Sequence, residues 1–253
     1  MPLEEKAVVV MTGAFRRMEG SVTSPQRVAH KGSFVWRYAN RGIHEAIVQK
    51  LARNVSGLNA VFVLLQAGYV QEVGVLLRTL DEIQEDIMFL AIAETNGARS
   101  ERHERYLKAF YSDLVFSRHE GSLEIQKPDL VPRKKIRAHT MNVLGKGVKA
   151  SQALVAGEAV GTAYSGYVHA NSECIMDMYG GENLSFHVEG MMGTPRIAAC
   201  ARGAENYIYR GLTATIAAAK AFGDAQHVEV LYRFLAEYEA ANGHPSPKVQ
   251  SSV

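Results

Sequence analysis

Residues 69–94 read YVQEVGVLLRTLDEIQEDIMFLAIAE and contain no proline. Apolar side chains recur along this stretch at alternating steps of four and three residues: Tyr69, Val73, Leu76, Leu80, Ile83, Ile87 and Leu90. Because an α-helix turns once in 3.6 residues, this spacing places them on one side of a helix, whereas a strand repeats every two residues. The stretch therefore predicts a long helix that packs against partners.

The sequence on either side predicts further helices. Gly68 divides residues 33–94 into two helices joined by a tight turn. Beyond them we expect a charged helix, a helix that begins at a proline, a helix rich in small residues and two C-terminal helices, over 98–117, 132–149, 151–178, 195–222 and 225–242. The prediction is an all-α fold, a single multi-helix bundle of about seven helices with at most one or two short strands.

Residues 180–195, GGENLSFHVEGMMGTP, interrupt the helical pattern. Phe186 and Val188 alternate with polar neighbours as in a short extended piece, so we expect a glycine-rich insertion that could act as a lid. The expected organisation has three parts: an N-terminal segment that holds a short strand or helix, a helical bundle domain and a disordered tail, over 1–32, 33–242 and 243–253.

The composition is that of an ordinary globular protein. With 47% hydrophobic and 21% charged residues, it excludes the disordered, collagen-like and disulfide-stabilised classes. The net charge of +2 is too small for a surface that binds polyanions as a whole. Cys174 and Cys200 fit no metal-ligand spacing, and neither a signal peptide nor an apolar run of membrane length is evident. We therefore expect a cytoplasmic protein with no membrane partner.

A charged pair lies within the long helix of residues 69–94. Arg78 and Glu82 are one helical turn apart and can form an ion pair. Val75 and Phe89 on the same face indicate that this side is also covered, so the pair would be partly buried. Such a pair is either structural or part of a site in which Arg78 binds an anionic group and Glu82 orients Arg78.

A polar stripe follows the predicted helix over 151–178. Its members succeed one another at steps of four, three, four and four residues: Glu158, Thr162, Ser165, His169 and Glu173. A histidine between a hydroxyl and a carboxylate has its tautomer and basicity set by those neighbours, as general acid–base catalysis requires. His169 and Glu173 are the candidate catalytic residues and Ser165 a candidate ligand-binding residue. The alternative is a core histidine that a facing helix satisfies.

Two short motifs carry a resemblance. The pattern RxLxE over 78–82, followed by SxxxH over 165–169, resembles the signature of a helical bacterial family known only as a domain of unknown function. The likeness covers about residues 42–171 and implies no reaction; it implies an all-helical domain in which four polar residues converge, Arg78, Glu82, Ser165 and His169. The chain departs from the family pattern at Ala170, where a proline is common.

A basic run follows Pro132. Arg133 and Arg137 belong to it and are further candidate ligand-binding residues, because such a run can bind phosphates electrostatically, although it is often only a solvated face. Arg133 and His139 also match the Arg-to-His spacing of helical ribonucleases of the HEPN type. Six residues turn about 240° around a helix, however, so these two side chains would diverge.

Carboxylate-bound metal sites in helical bundles need paired Glu-x-x-His motifs, which this sequence lacks, so we expect neither a metal nor a cofactor. The function that follows is binding of a phosphate-containing ligand or RNA, with cleavage by acid–base chemistry at His169 as the most concrete reaction. The alternative is a non-catalytic ligand- or partner-binding module in which the same residues form a structural hydrogen-bond network. A homodimer through small-residue or apolar faces is compatible with both.

Overall fold

The computed structural model of the chain describes residues 1–113, 115–119, 122–144, 161–181 and 184–243. The fold is all-α, as the sequence predicts. The helices are α1 (Leu3–Ser21), α2 (Ile43–Gln66), α3 (Val70–Thr95), α4 (Glu101–Phe110), α5 (Arg133–Leu144), α6 (161–168), α7 (Ser172–Met176), α8 (Pro195–Ala221) and α9 (Ala225–Asn242). The tail expected after residue 243 lies outside the described residues.

The structure contains more strand than the sequence predicts. Within the described ranges, three antiparallel pairs join β1 (Gln26–His30) to β2 (Ser33–Arg37), β3 (Val115–His119) to β4 (Ser122–Gln126) and β5 (Tyr179–Gly180) to β6 (Ser185–Phe186). Between β1 and β2, Lys31 and Gly32 both adopt positive φ angles, of 47° and 79°. This two-residue turn matches the right-handed twist of the strands, which explains a hairpin where the sequence left the choice between strand and helix open.

The helix expected over 98–117 is wrong in its second half. α4 ends at Phe110, and β3 begins at Val115. The Ser112 hydroxyl donates a hydrogen bond to the carbonyl of Lys108, which satisfies one of the carbonyls that the last turn leaves free. The β-branched and aromatic residues that follow favour an extended chain.

Helix α3 is the centre of the bundle and packs mainly against α2 and α8. Five of the seven apolar residues that define its pattern are buried, namely Val73, Leu80, Ile83, Ile87 and Leu90. Helix α1 also belongs to the core: it packs on α8 and α2 and buries Met11, Phe15 and Met18. The boundary placed at residue 33 therefore does not separate α1 from the bundle.

The small-residue helix does not continue to residue 178. The part that the structure describes, α6, ends at residue 168, and Ala170 adopts a positive φ of 51°. The Asn171 N–H then donates to the carbonyl of Gly166 at 3.0 Å, which is the hydrogen bond of a Schellman-type helix end. Asn171 precedes α7, so the polypeptide turns between two helices where the sequence predicted one.

The glycine-rich segment is attached to the turn between α2 and α3. Gly68, in that turn, has a φ of +83°, and its carbonyl accepts the N–H of Met191 at 2.8 Å. A Cβ atom on Gly68 would lie 2.7 Å from the Met191 nitrogen, and one on Gly190 would lie 2.4 Å from the Ala67 carbonyl oxygen. The two backbones therefore approach each other as closely as glycine permits.

Substituting alanine for three glycines separates backbone strain from steric contact. Gly68→Ala should destabilise the fold by about 2–4 kcal/mol, because it combines a left-handed backbone with a clash against the Met191 and Met192 nitrogens. Gly97→Ala, with a φ of +57° and open space around its Cβ position, should cost only about 1 kcal/mol. Gly13→Ala, in the exposed middle of α1, should stabilise the protein by about 0.5–1 kcal/mol.

Denaturant unfolding of the three variants measures these differences. Equal losses at Gly68 and Gly97 would show that the contact with the glycine-rich segment contributes nothing.

Candidate functional site

Four carboxylates lie along one part of α3, at Asp81, Glu82, Glu85 and Asp86, and together form what we name the α3 charge cluster. The Asp81 and Asp86 side chains are only 3% and 5% exposed. An ionised carboxylate at such a depth loses most of its hydration, so it needs cationic partners. The neighbouring helices supply them.

Helix α5 contributes two arginines that face α3 from one side. Arg133 pairs with Glu85 at 2.7 Å, pairs more closely with Asp86 and donates to the Glu82 carbonyl at 2.9 Å. Arg137 pairs with Asp81 at 3.0 Å and also with Glu85. Burial alone would lower the pKa of Arg133, but Asp86 and Glu85 raise it above its usual value, so the guanidinium is charged at every accessible pH.

Other helices complete the neutralisation. Arg210 of α8 pairs with Asp81 at 2.6 Å, and Lys50 of α2 pairs with Asp86 at 2.8 Å. Arg78 of α3 itself pairs with Glu82 at 2.7 Å and approaches Asp81 at 3.8 Å. Every carboxylate of the α3 charge cluster therefore has a cation, and the pairs join α3 to α2, α5 and α8.

The structure does not add His169 and Glu173 to this cluster. The sequence placed them with Ser165 on one stripe of a single helix, and that prediction is wrong because α6 ends at residue 168. His169 is exposed in the turn, where its N–H donates to the Ser165 carbonyl at 3.1 Å, and Glu173 is exposed on α7. Within the described ranges, neither side chain makes a hydrogen bond or ion pair with Arg78 or Glu82. Glu158 lies outside those ranges.

Helix α6 nevertheless packs on α3 near the cluster. A Cβ atom on Gly74 of α3 would lie 2.5 Å from the ring of Tyr167, so a glycine is needed there for the ring to fit. A Cβ on Gly161 would lie 3.3 Å from the Arg137 guanidinium and 3.9 Å from an Asp81 oxygen. Tyr167 and Gly161 of α6 therefore lie close to α3 and to the cluster.

Two cations of the network were not predicted from the sequence. Lys50 and Arg210 lie on helices far along the chain from α3, and nothing in their local spacing distinguishes them from solvated charges. The signal that could have found them is an excess of carboxylates: Asp81, Glu85 and Asp86 alternate with buried apolar residues and cannot all be paired within α3.

A second polar cluster lies beside the first, between α3, α4 and α5. The fully buried His103 ring stacks on Phe89 with centroids 4.1 Å apart, and the His139 ring meets both edge-on. Burial, followed by the nearby His139, lowers the pKa of His103 to about 4. The His103 Nδ1 accepts the N–H of Ser100 at 3.1 Å, which completes a capping box at the start of α4.

Among the described residues, no three His, Cys, Asp or Glu side chains are arranged to hold a metal ion. Nor does that part of the chain include a helix that is long and apolar enough to cross a bilayer.

Removing one arginine from the network should destabilise the fold strongly. Arg137→Met takes one cation from Asp81, which keeps Arg210, and one from Glu85, which keeps Arg133, so we expect a loss of about 2–3 kcal/mol in the free energy of unfolding. Lys134→Met is the matched control, because Lys134 is an exposed neighbour on α5 and should change stability by less than about 0.5 kcal/mol. Chemical denaturation measures both, and similar losses would contradict a structural role for the ion pairs.

The buried His103 should make the protein sensitive to mild acid. Its pKa is lower in the folded state than in the unfolded chain, so the unfolded state binds more protons as the pH falls below about 6.5. The contribution of His103 to the free energy of unfolding is fully present above that pH. It falls by about 3 kcal/mol in total as the pH is lowered to about 4.

His103→Asn keeps an acceptor for the Ser100 N–H and should flatten the loss of stability between those two pH values. The exposed His169→Asn variant should retain the wild-type dependence. An unchanged slope in His103→Asn would contradict the assignment.

Comparison with known proteins adds no family to this geometry. No protein-family model, curated protein or solved structure matches the chain. The resemblance carried by the RxLxE and SxxxH motifs therefore stays a prediction, and function has to be argued from the arrangement of the side chains.

Proposed function

We propose that the protein is a non-catalytic binding module in which the α3 charge cluster and its cations form a structural network. One observation carries the proposal: Arg78, Arg133 and Arg137, the three arginines expected to bind a ligand, are each already paired with carboxylates of α3. A phosphate at these positions would have to displace a buried carboxylate from its cation, which is costly in a low-dielectric interior. The cluster is therefore suited to holding helices rather than to binding anions.

The directions of the ion pairs support a role in helix register. The carboxylates of a single helix are met by cations from three other helices, at Lys50, Arg133, Arg137 and Arg210. A helix that slid by one turn would leave buried charges unpaired, so the network favours one arrangement over its neighbours. Specifying one packing arrangement is the best-attested use of buried ion pairs.

The surroundings of His169 favour binding over catalysis. General acid–base catalysis requires a side chain held in position and a partner that fixes its tautomer. His169 is exposed in a turn, and in the parts of the chain that the structure describes its ring has no such partner. Ser165 contributes its backbone carbonyl, not its hydroxyl, to that turn.

The basic helix offers weaker support for RNA than the sequence indicates. Arg133 and Arg137 point at α3 and are neutralised there, so α5 does not present a continuous basic stripe to solvent. RNA binding of the electrostatic kind needs several cations free to contact successive phosphates. A small ligand or a partner bound elsewhere on the protein fits these observations better than a nucleic acid bound along α5.

Replacement of His169 tests the proposal. His169→Ala should leave the free energy of unfolding within about 0.5 kcal/mol of wild type, because the side chain is exposed. We also expect the purified wild type and His169→Ala to show the same background rate of cleavage of a single-stranded RNA. Arg137→Met gives the opposite pattern, with a clear loss of stability. Cleavage by the wild type that disappears in His169→Ala at unchanged stability would overturn the proposal in favour of a ribonuclease.

A further inference from the structure

A hollow of about 470 Å³ lies between the start of α4 and α5, outside the α3 charge cluster. We name it the α4–α5 hollow. Its described lining residues are Ser100, Glu101, Arg102, Arg105, Val131, Lys135 and His139. A volume in the range of roughly 300–1,000 Å³ is typical of sites for small molecules. Three of these residues carry fixed positive charges.

The cations of the hollow differ from those of the α3 charge cluster in their pairing. Arg102 and Lys135 make no ion pair with any described residue, and Lys135 is exposed. Arg105 pairs with Asp129 at 2.5 Å, but that carboxylate is 79% exposed, so the pair is weak. Of the described lining residues, Glu101 alone carries a carboxylate. The hollow therefore has positive charge in excess.

Helix geometry explains why α5 contributes residues both to the α3 charge cluster and to the α4–α5 hollow. Arg133 and Arg137 are four residues apart and lie on the face of α5 that meets α3. Lys135 and His139 are also four residues apart, but they are offset by two residues, which is about 200° around the helix. They consequently line the hollow on a different face.

The positive charge of Arg102 affects the pKa of two histidines beside the hollow. Burial comes first among the causes that lower the pKa of His139, and the charge of Arg102 lowers it further. The pKa of His103, which contacts His139 from α4, is lowered by burial, by His139 and also by Arg102 and Arg99. The Nε2 of His139 is buried with no hydrogen-bond partner in the described structure. The polar groups around this hollow are therefore incompletely satisfied.

We propose that the α4–α5 hollow binds the phosphate group of a small phosphorylated ligand, with Arg102, Arg105 and Lys135 contacting the phosphate oxygens. Guanidinium groups match the geometry of phosphate oxygens, and an ammonium adds a compact charge. This inference rests on the proposed binding function and supplies its ligand class. It places the site away from Arg78 and His169.

A small ligand fits the hollow better than an RNA strand. The three cations line one hollow of limited volume, whereas an extended strand needs a groove that follows its backbone. Glu101 in the lining opposes any anion, and it would also repel the next phosphate of a polymer. We therefore expect a terminal phosphate to bind and an internal phosphodiester to bind poorly.

Proton binding should be coupled to occupancy of the hollow. The charged and titratable groups that face His139 are His103 and Arg102 on α4 and Lys135 on its own helix, with Glu101 at the lining. An anion among them would offset the effect of Arg102 and raise the pKa of His139. By reciprocity, the anion should bind more tightly as the pH falls.

Calorimetric titration of the full chain with inorganic phosphate and with phenyl phosphate tests the site. We expect saturable binding with one site per chain, and a loss of about tenfold in affinity in both Lys135→Ala and Arg102→Ala. Lys134→Ala is the matched control, since Lys134 is the exposed neighbour on α5 outside the hollow, and it should bind as wild type. Glu101→Gln should bind severalfold more tightly, which keeps the test informative if an alanine variant folds poorly.

Several outcomes would overturn the inference. They are the absence of saturable binding to wild type, an equal loss in Lys134→Ala and Lys135→Ala, or weaker binding in Glu101→Gln. A single-stranded RNA without a terminal phosphate should fail to displace phenyl phosphate. Efficient displacement would show that the hollow binds a nucleic acid and not a small ligand. Failure here leaves the proposed function intact, because the His169→Ala and Arg137→Met measurements do not involve the residues of the hollow.

The proton coupling is measured with sulfate, which keeps its charge between about pH 5 and 8, where histidines titrate. The NMR signal of the His139 ring, assigned through His139→Gln, should titrate at a higher pH when sulfate saturates the protein. An unchanged or lowered titration midpoint would overturn the assignment of the anion to this hollow.

Discussion

The fold depends on one electrostatic constraint: carboxylates that are buried on α3 must be neutralised by cations from other helices. Asp81 is almost fully buried and is approached by Arg78, Arg137 and Arg210, while Asp86 is shared by Lys50 and Arg133. Apolar packing alone is tolerant of small shifts between helices, because many side chains of similar size can exchange contacts. Ion pairs with fixed partners are less tolerant, so in the proposed role in helix register the charges favour one of the packings that the apolar surfaces allow.

The faces of α5 serve two purposes. One face carries arginines whose charge is neutralised inside the protein, and another turns Lys135 and His139 towards a hollow where cations outnumber carboxylates. In the sequence the two sets of residues form one basic run, and their difference appears only when each side chain is assigned to a face. Net charge over a segment is therefore a poor guide to ligand binding, whereas the pairing of each charge is informative.

The long helices could be predicted from the sequence, because the apolar pattern of α3 and the breakers at Gly68 and Pro195 are local signals. The short extended piece at Phe186 was predicted and is strand β6. The pairing of β1 with β2 and of β3 with β4 was not, since the turn at Lys31 and Gly32 and the helix end at Ser112 depend on single backbone angles and hydrogen bonds. The continuous stripe of Ser165, His169 and Glu173 failed for the same reason: helical spacing cannot reveal that Ala170 adopts a left-handed conformation. The pairing of Arg78 with Glu82 was predicted because its partners are one turn apart, but partners from distant helices such as Arg210 were not.

The packing of α1 has a consequence for synthesis of the protein. The first helix of the chain buries its apolar face against α8 and also contacts α9, and Arg17 near its end pairs with Asp224 at 2.9 Å just before α9. A ribosome adds roughly 5–20 residues per second, so this helix waits many seconds in the cell before its partners have been made. During that interval α2 has been made but α8 has not, so Met11 and Phe15, which end up in the core, lack part of their final cover. The apolar face of α1 is therefore only partly covered until α8 has been synthesised.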